Sequence, residues 1–93
     1  MIFTVQYSAL LNTKDIARFP KADLRRIKKS IEEKLTTHPD VFGKPLRFSL
    51  QGHRSLRVGD YRVIFRIDKE TVKILIIAHR SVVYERYEDI LKR

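Results

Sequence analysis

The sequence VGDY at residues 58–61 constrains the fold more than any other feature of the chain. The flanking segments, residues 55–58 and 61–67, alternate apolar and polar side chains, as strands with one buried face do. A glycine in the first of two loop positions is what a tight β-hairpin turn prefers. A two-residue turn here predicts that Arg57 lies directly opposite Arg62 on the neighbouring strand.

Strand parity then assigns the side chains of the strand at 61–67 to two faces of the sheet. Tyr61, Val63, Phe65 and Ile67 form the core face. Arg62, Ile64 and Arg66 form the other face, together with Arg57. Like charges in a cross-strand pair destabilise a sheet, by up to about 1 kcal/mol. An anionic ligand between the guanidinium groups removes that cost, because planar guanidinium forks bind phosphate oxygens in pairs. The alternative is that these arginines only keep a solvated face soluble and discourage edge pairing.

Further polar residues are candidates for the same face. His53 and Ser55 precede Arg57 with matching parity, so an unbroken strand places them beside it. A turn around residues 69–70 pairs the strand at 72–79 with the preceding one, and uninterrupted parity predicts His79 on the Arg62 side. Arg80 then has the opposite parity unless the chain turns there. A histidine can transfer a proton near neutral pH, and a tyrosine such as Tyr84 can donate one or stack on a base.

The rest of the chain predicts an α+β domain spanning residues 1–93. Residues 2–7 alternate as a strand, and a polar stretch with a short helix follows. From Pro20, apolar residues recur at spacings of three and four, which is typical of a helix that ends near His38. Residues 46–50 are a further strand candidate, and residues 84–92 predict a terminal helix. The expected order is a strand, one or two helices, a three- to four-stranded antiparallel meander and a short helix, with the helices packed on one sheet face.

Composition narrows the functional classes. The 93 residues carry a net charge of +9, which attracts polyanions, with nucleic acid the first expectation, an acidic protein the second and an anionic membrane surface the third. There is no cysteine, and the three histidines are too scattered for a zinc spacing, so we expect chemistry without a metal or another cofactor. No apolar run is long enough for a membrane span and the N-terminus lacks a secretory signal, so a cytoplasmic location is expected.

The motifs GHRSLRVGDYRVIF at residues 52–65 and HRSVVY at residues 79–84 carry a family resemblance. They resemble the RelE/ParE toxin superfamily of type II toxin–antitoxin systems, and the helical half and chain length fit as well. The RelE-like branch, favoured by the tyrosine after HR, implies a bacterial or archaeal toxin that enters the ribosomal A site. There it cuts messenger RNA without a metal, by attack of the ribose 2′-hydroxyl on the adjacent phosphate.

The resemblance assigns roles to particular residues. Arg57, Arg62 and Arg80 would hold the phosphate and stabilise the transition state, and Tyr84 would orient the substrate or protonate the leaving group. Two lysines that some relatives carry before the first arginine are replaced by histidine and serine, which makes His79 and the histidine at position 53 candidates for the general base. The basic residues expected to bind RNA are His53, Arg54, Arg66, Lys44 and Arg47.

Two other functions compete with messenger RNA cleavage. The ParE branch shares the fold but poisons DNA gyrase, and a non-catalytic RNA-binding module would use the same arginines with strong salt dependence. For either toxin branch the resemblance implies a cognate acidic antitoxin, bound to the toxin in a hetero-oligomer. The ribosome and messenger RNA are the other partners that the RelE branch implies.

Overall fold

A five-stranded sheet with helices on both faces forms the protein, whose computed structural model describes residues 2–46 and 52–91. The strands are β1 Thr4–Tyr7, β2 Lys44–Pro45, β3 Arg54–Val58, β4 Tyr61–Asp68 and β5 Thr71–His79. The helices are α1 Thr13–Ile16, α2 Lys21–Ser30, α3 Pro39–Phe42 and α4 Val83–Leu91, and a π-helical segment Ile31–Leu35 continues α2. The predicted α+β class and order of elements are confirmed.

The sheet has the strand order β1-β5-β4-β3-β2. Strands β2 to β5 form the expected antiparallel meander, while β1 pairs in parallel with the far side of β5. The turn between β3 and β4 has Gly59 at a positive φ of 59°, which glycine adopts without strain. Arg57 is therefore opposite Arg62, as the sequence predicts. The strand predicted at 46–50 lies, apart from Leu46, outside the described residues, and Lys44–Pro45 pairs with β3 instead.

One layer of the core lies between α2 and the sheet. The apolar stripe of the helix supplies Ile27, Ile31 and Leu35, which are at most 3% exposed. They pack on the side chains that the strands direct towards α2, including Phe65. His38 is non-helical at φ −138°, as a residue before proline should be, and Pro39 begins α3. This layer fixes which strand positions face the helices.

A β-bulge between β4 and β5 changes the face of every later β5 residue. Ile64 is opposite Ile76, whereas Phe65 is opposite Ile74, so Leu75 is an extra residue without a partner across the ladder. A bulge of this kind reverses the parity of the strand beyond it. The prediction that His79 shares the face of Arg62 assumed unbroken parity and is wrong.

The helix α4 covers the sheet face opposite α2. Its Val83 and Tyr87 are at most 5% exposed and pack on Ile64, Ile76 and Ala78. The expectation that all helices lie on one sheet face is therefore wrong. On this face, Ile64 lies between Arg62 and Arg66 on β4. Together with apolar residues of β5 it forms a second small core, and the terminal helix packs on this core. Within the described residues, no helix is both long and apolar enough to cross a membrane.

Candidate phosphate-binding groove

A shallow groove of about 290 Å³ lies where β2, β3 and β4 meet the start of α4. We call it the arginine groove, and its lining residues are Phe42, Lys44, Leu46, Ser55, Arg57, Arg62 and Tyr84. The hairpin register explains why the two arginines meet there, because each points to the same face from facing strands. The structure thus brings together three of the five predicted catalytic residues.

Arg62 is partly withdrawn from solvent, unlike the exposed arginines of the chain. The residue is partly buried, and its Nη1 atom is buried without a hydrogen-bond partner among the described residues. The Oγ of Ser55, in the same groove, is also buried and unpartnered within that part of the chain. Unpaired buried donors are costly in a folded protein. Both unpaired donors belong to residues that line the arginine groove.

Arg57 and Lys44 supply the exposed positive charge of the groove. The side chain of Arg57 is exposed, and its Nε donates a long hydrogen bond of 3.4 Å to the carbonyl of Gly59. Lys44 lies on β2, directly opposite Ser55. Its predicted role in RNA binding is compatible with this place on the groove wall. Two guanidinium groups and an ammonium group around one cavity produce a strongly positive potential.

Tyr84 completes the wall because α4 begins beside the groove. The tyrosine is in the first turn of the helix and is 52% exposed, while the preceding Val83 is 1% exposed and anchors the turn on the sheet. The tyrosine hydroxyl therefore belongs to a side chain that lines the arginine groove but is not buried in the core. A phenol in this position can donate a proton or orient a bound base.

Arg80 lies next to the hairpin tip at one end of this region. Its backbone N–H donates to the carbonyl of Asp60 at 2.8 Å, which continues the β4–β5 register by one residue. The bulge gives Arg80 the parity of Ala78 and hence of Arg62, which the sequence alone could not provide. Its Nε is 3.9 Å from Oδ1 of Asp60, and Arg80 is not among the residues that line the arginine groove.

His79 lies on the other side of the sheet, next to α2. It is directly opposite Tyr61, and the two ring centroids are 5.7 Å apart. The hydroxyl of Tyr61 donates a 2.9 Å hydrogen bond to Asp23 of α2. Burial, then the hydrogen bond and charge of Asp23, raises the pKa of this phenol. Nδ1 of His79 is hydrogen-bonded to the hydroxyl of Ser81 at 2.8 Å, and the imidazole does not line the arginine groove.

The other predicted RNA-binding residues that the structure describes lie in two locations. Arg54 points to the α3 side, where its guanidinium donates to the carbonyls of Gly43 at 2.9 Å and Asp40 at 3.2 Å. It therefore holds the end of α3. His53 and Arg66 lie in a second cavity, on the same sheet face as the arginine groove. Arg47 falls outside the described residues.

Comparison with known proteins identifies the family. The family model described as "ParE toxin of type II toxin-antitoxin system, parDE" matches residues 8–84. The chain belongs to the RelE/ParE toxin superfamily. Among curated proteins, the toxin is 36% identical over 88 residues to Toxin RelG of Mycobacterium tuberculosis, covering 92% of this chain and 100% of that one. It is 38% identical over 73 residues to Toxin RelE of the same organism, covering 76% and 75% of the two chains.

Solved structures agree on the fold of the toxin. A crystal structure of the toxin–antitoxin complex RelBE2 from Mycobacterium tuberculosis contains a chain that superposes with a TM-score of 0.76 at 35% identity, covering 86% of this chain and 93% of that chain. The RelB–RelE antitoxin–toxin complex from Methanococcus jannaschii gives 0.61 at 21% identity, with coverages of 87% and 96%. The second likeness bears on fold alone. The protein is a toxin of the type II toxin–antitoxin class with the RelE fold.

A polar chain that sequence reasoning missed fastens α4 of the toxin to the sheet. The side-chain amide of Asn12 bonds to both backbone groups of Ile77, at 2.8 and 3.0 Å, and its Nδ2 also donates to Asp15 at 3.2 Å. Asp15 accepts a 2.6 Å bond from Nε of Arg86 on α4. Burial tends to raise the pKa of Asp15, but its bonds and the positive charges of Arg86 and Arg18 outweigh this and lower it. These partners are too far apart in sequence for any local pattern to reveal.

Proposed function

We propose that this toxin is an endoribonuclease that cleaves messenger RNA on the ribosome, with the scissile phosphate bound in the arginine groove. The observation that carries the proposal is the opposed Arg57–Arg62 pair in a groove shared with Tyr84, where one nitrogen of Arg62 is buried and unpaired among the described residues. An anionic phosphodiester bound between the two guanidinium groups would relieve their like-charge repulsion.

In the proposed reaction, the ribose 2′-hydroxyl gives its proton to a base of the ribosome-bound substrate complex, and its oxygen bonds to the adjacent phosphorus. The bond from phosphorus to the 5′-oxygen then breaks, and that oxygen takes up a proton. The products are a cyclic phosphate and a 5′-hydroxyl end. No metal is required if Arg57 and Arg62 stabilise the charge that builds up on the phosphoryl oxygens. Tyr84 is the proposed proton donor or orienting group, and Arg80 would assist from the end of the groove.

Proton abstraction from the 2′-hydroxyl is the step for which the arginine groove offers the fewest candidate groups. Neither histidine predicted for this role lines the groove, since His79 is on the α2 side and His53 packs against Tyr87 with ring centroids 5.6 Å apart. We therefore assign the arginines to transition-state stabilisation and leave proton abstraction to the ribosome-bound substrate complex. Removing one preorganised donor to a developing charge costs about 100- to 1,000-fold in rate.

The test is primer extension on a message translated in a cell-free extract. The wild-type toxin should produce new 5′ ends within codons, and Arg62→Ala should abolish them while its circular dichroism and melting temperature stay native. Arg25→Ala, which removes one exposed charge from α2 on the other side of the sheet, is the matched control and should cleave normally. An intact message with the wild-type protein would refute ribosome-dependent cleavage and leave an RNA-binding module as the alternative.

Poisoning of DNA gyrase is the second candidate function, because the matching family model is named for the ParE toxin. In cells, this function would produce gyrase-dependent DNA breaks with messenger RNA left intact. Rapid loss of message without DNA breaks would exclude it.

We further propose a cytoplasmic location and a cognate acidic antitoxin as the neutralising partner in a hetero-oligomer. The RelBE2 and RelB–RelE structures are complexes of toxin with antitoxin, and the charge of +9 on this chain favours an acidic partner.

A further inference from the structure

A second pair of like charges lies on the same sheet face as the arginine groove. Arg66 of β4 is directly opposite Lys73 of β5, with the register fixed on the turn side of the bulge. The residues lining this region are Gln6, Tyr7, Ser8, His53, Arg66, Lys73 and Leu75, around a cavity of about 410 Å³. We call it the β4–β5 cleft. The physical argument made for Arg57 and Arg62 applies again, because two cations paired across strands lower stability unless an anion binds between them.

The two cations of the cleft are not equivalent. Nζ of Lys73 is 3.5 Å from a carboxylate oxygen of Asp68, which offsets part of its charge. Arg66 is exposed and forms no ion pair with any other residue that the structure describes. The cleft therefore presents a net positive charge to solvent, with a guanidinium group available for a phosphate and the amide of Gln6 on the strand beyond Lys73.

The position of the cleft relates it to the arginine groove. Arg62 and Arg66 are four residues apart on β4, with side chains on the same face, so their Cα atoms are separated by roughly 13 Å. That distance exceeds the length of one nucleotide and is within the span of a short oligonucleotide. Between the two sites, the face is covered by Val83 and Tyr87 of α4. An RNA strand bound at both sites would therefore pass over α4, with its backbone bound on either side of that helix.

We propose that the β4–β5 cleft is a second phosphate subsite, which binds the backbone of the same RNA strand away from the scissile bond. The proposal rests on the proposed function for its substrate class. Arg66 holds the phosphate, Lys73 contributes a partly compensated charge, and no chemistry takes place in the cleft. Such a contact supplies affinity without base specificity, since phosphate contacts fix position along the strand.

The experiment compares two 2′-O-methyl RNA ligands that cannot be cleaved, a dinucleotide that reaches one site and an octanucleotide that reaches both. Arg66→Ala should leave dinucleotide binding unchanged and weaken octanucleotide binding, by up to about fivefold, as for an exposed ion pair. The slope of log affinity against log salt should fall by about 0.7 for the lost phosphate. Arg62→Ala should weaken binding of both ligands. Arg25→Ala, the control with the same change in net charge, should cause at most a small loss of affinity that is equal for the two ligands.

The possible results separate the cleft from the proposed cleavage. If Arg66→Ala and Arg66→Glu bind the octanucleotide as the wild type does, while Arg62→Ala does not, the subsite is overturned and the cleavage proposal stands. A length-dependent loss in a protein that fails to cut translated message supports the subsite and rejects the cleavage. If Arg66→Ala weakens binding of a polyglutamate peptide and not of RNA, the cleft binds an acidic protein and the proposal is overturned. A wild-type protein that binds neither oligonucleotide overturns it as well.

Discussion

The two like-charge pairs on one sheet face show how the same strand register can serve different purposes. In the arginine groove, Arg62 is partly buried, one of its nitrogens lacks a partner among the described residues, and a tyrosine lines the same cavity. In the β4–β5 cleft, Arg66 is exposed and Lys73 is partly neutralised by Asp68. Desolvated donors stabilise developing charge strongly, whereas exposed ones contribute weak, salt-sensitive attraction. We therefore expect the first pair to affect both rate and affinity, and the second to affect affinity alone.

The largest difference should appear when each arginine is changed to lysine, which preserves charge and removes the planar fork. Arg62→Lys should lose about 100-fold or more in cleavage, because an ammonium group cannot reproduce two parallel hydrogen bonds to phosphoryl oxygens. Arg66→Lys should cleave at nearly the wild-type rate. Single-turnover cleavage on stalled ribosomes measures both. Equal losses in the two variants would contradict the distinction between the pairs.

Tyr84 offers a second way to separate rate from affinity. Tyr84→Phe keeps the ring that lines the arginine groove and removes the hydroxyl. Loss of a proton donor should lower the cleavage rate by about 100-fold. Binding of the uncleavable octanucleotide should be unchanged. Full activity in this variant would mean that the ring alone is used, in which case Tyr84→Ala should be the damaging change.

The sequence predicts the arginine groove well because local rules determine it. A two-residue turn with glycine first fixes the register of β3 and β4, and that register alone places Arg57 opposite Arg62. The same procedure is wrong about His79, because the bulge at Leu75 reverses the parity of β5 beyond it and no local pattern in the sequence marks the bulge. It also gives no indication that α4 would occupy the arginine face.

The like-charge pair in the β4–β5 cleft is intermediate in how readily the sequence predicts it. A turn around residues 69–70 already places Lys73 opposite Arg66, since the bulge comes later in β5, so the second pair could have been found from the sequence. The link between Asp15 and Arg86 could not, because it joins residues 71 positions apart. Contacts of that kind follow from tertiary packing, which a single sequence does not specify.

Stability measurements should show the cost of each pair directly. Arg57→Thr removes one of two opposed cations and introduces a residue that favours strands, so the free energy of unfolding should rise by up to about 1 kcal/mol while cleavage is lost. Arg66→Thr should raise it less, because Asp68 already offsets the charge of Lys73. Urea denaturation at low salt measures both changes, and high salt should reduce them. A fall in stability for Arg57→Thr would mean that the opposed arginines do not repel each other appreciably.

The smallest expected effect tests whether α4 couples the two regions. Tyr84 of this helix lines the arginine groove, Tyr87 packs against His53 of the cleft, and the 2.6 Å bond from Arg86 to Asp15 fastens the helix between them. Asp15→Asn should therefore lower both the cleavage rate and octanucleotide binding slightly. Because the pair is about one-third exposed, with side-chain exposures of 36% and 30%, solvent screening keeps the loss small.

The pH dependence distinguishes this link from simple packing. Since the folded-state pKa of Asp15 is lowered, its ion pair stabilises the protein fully at neutral pH and is lost as the pH falls below the usual aspartate value of about 3.9 towards the folded-state value. The stability difference between wild type and Asp15→Asn should accordingly be greatest near neutrality and disappear in acid. Asp89→Asn, which alters a carboxylate 4.0 Å from the same Arg86, is the matched control and should change little. If Asp15→Asn impairs only one of the two readouts, the groove and the cleft are independent sites; if it impairs both, α4 couples them.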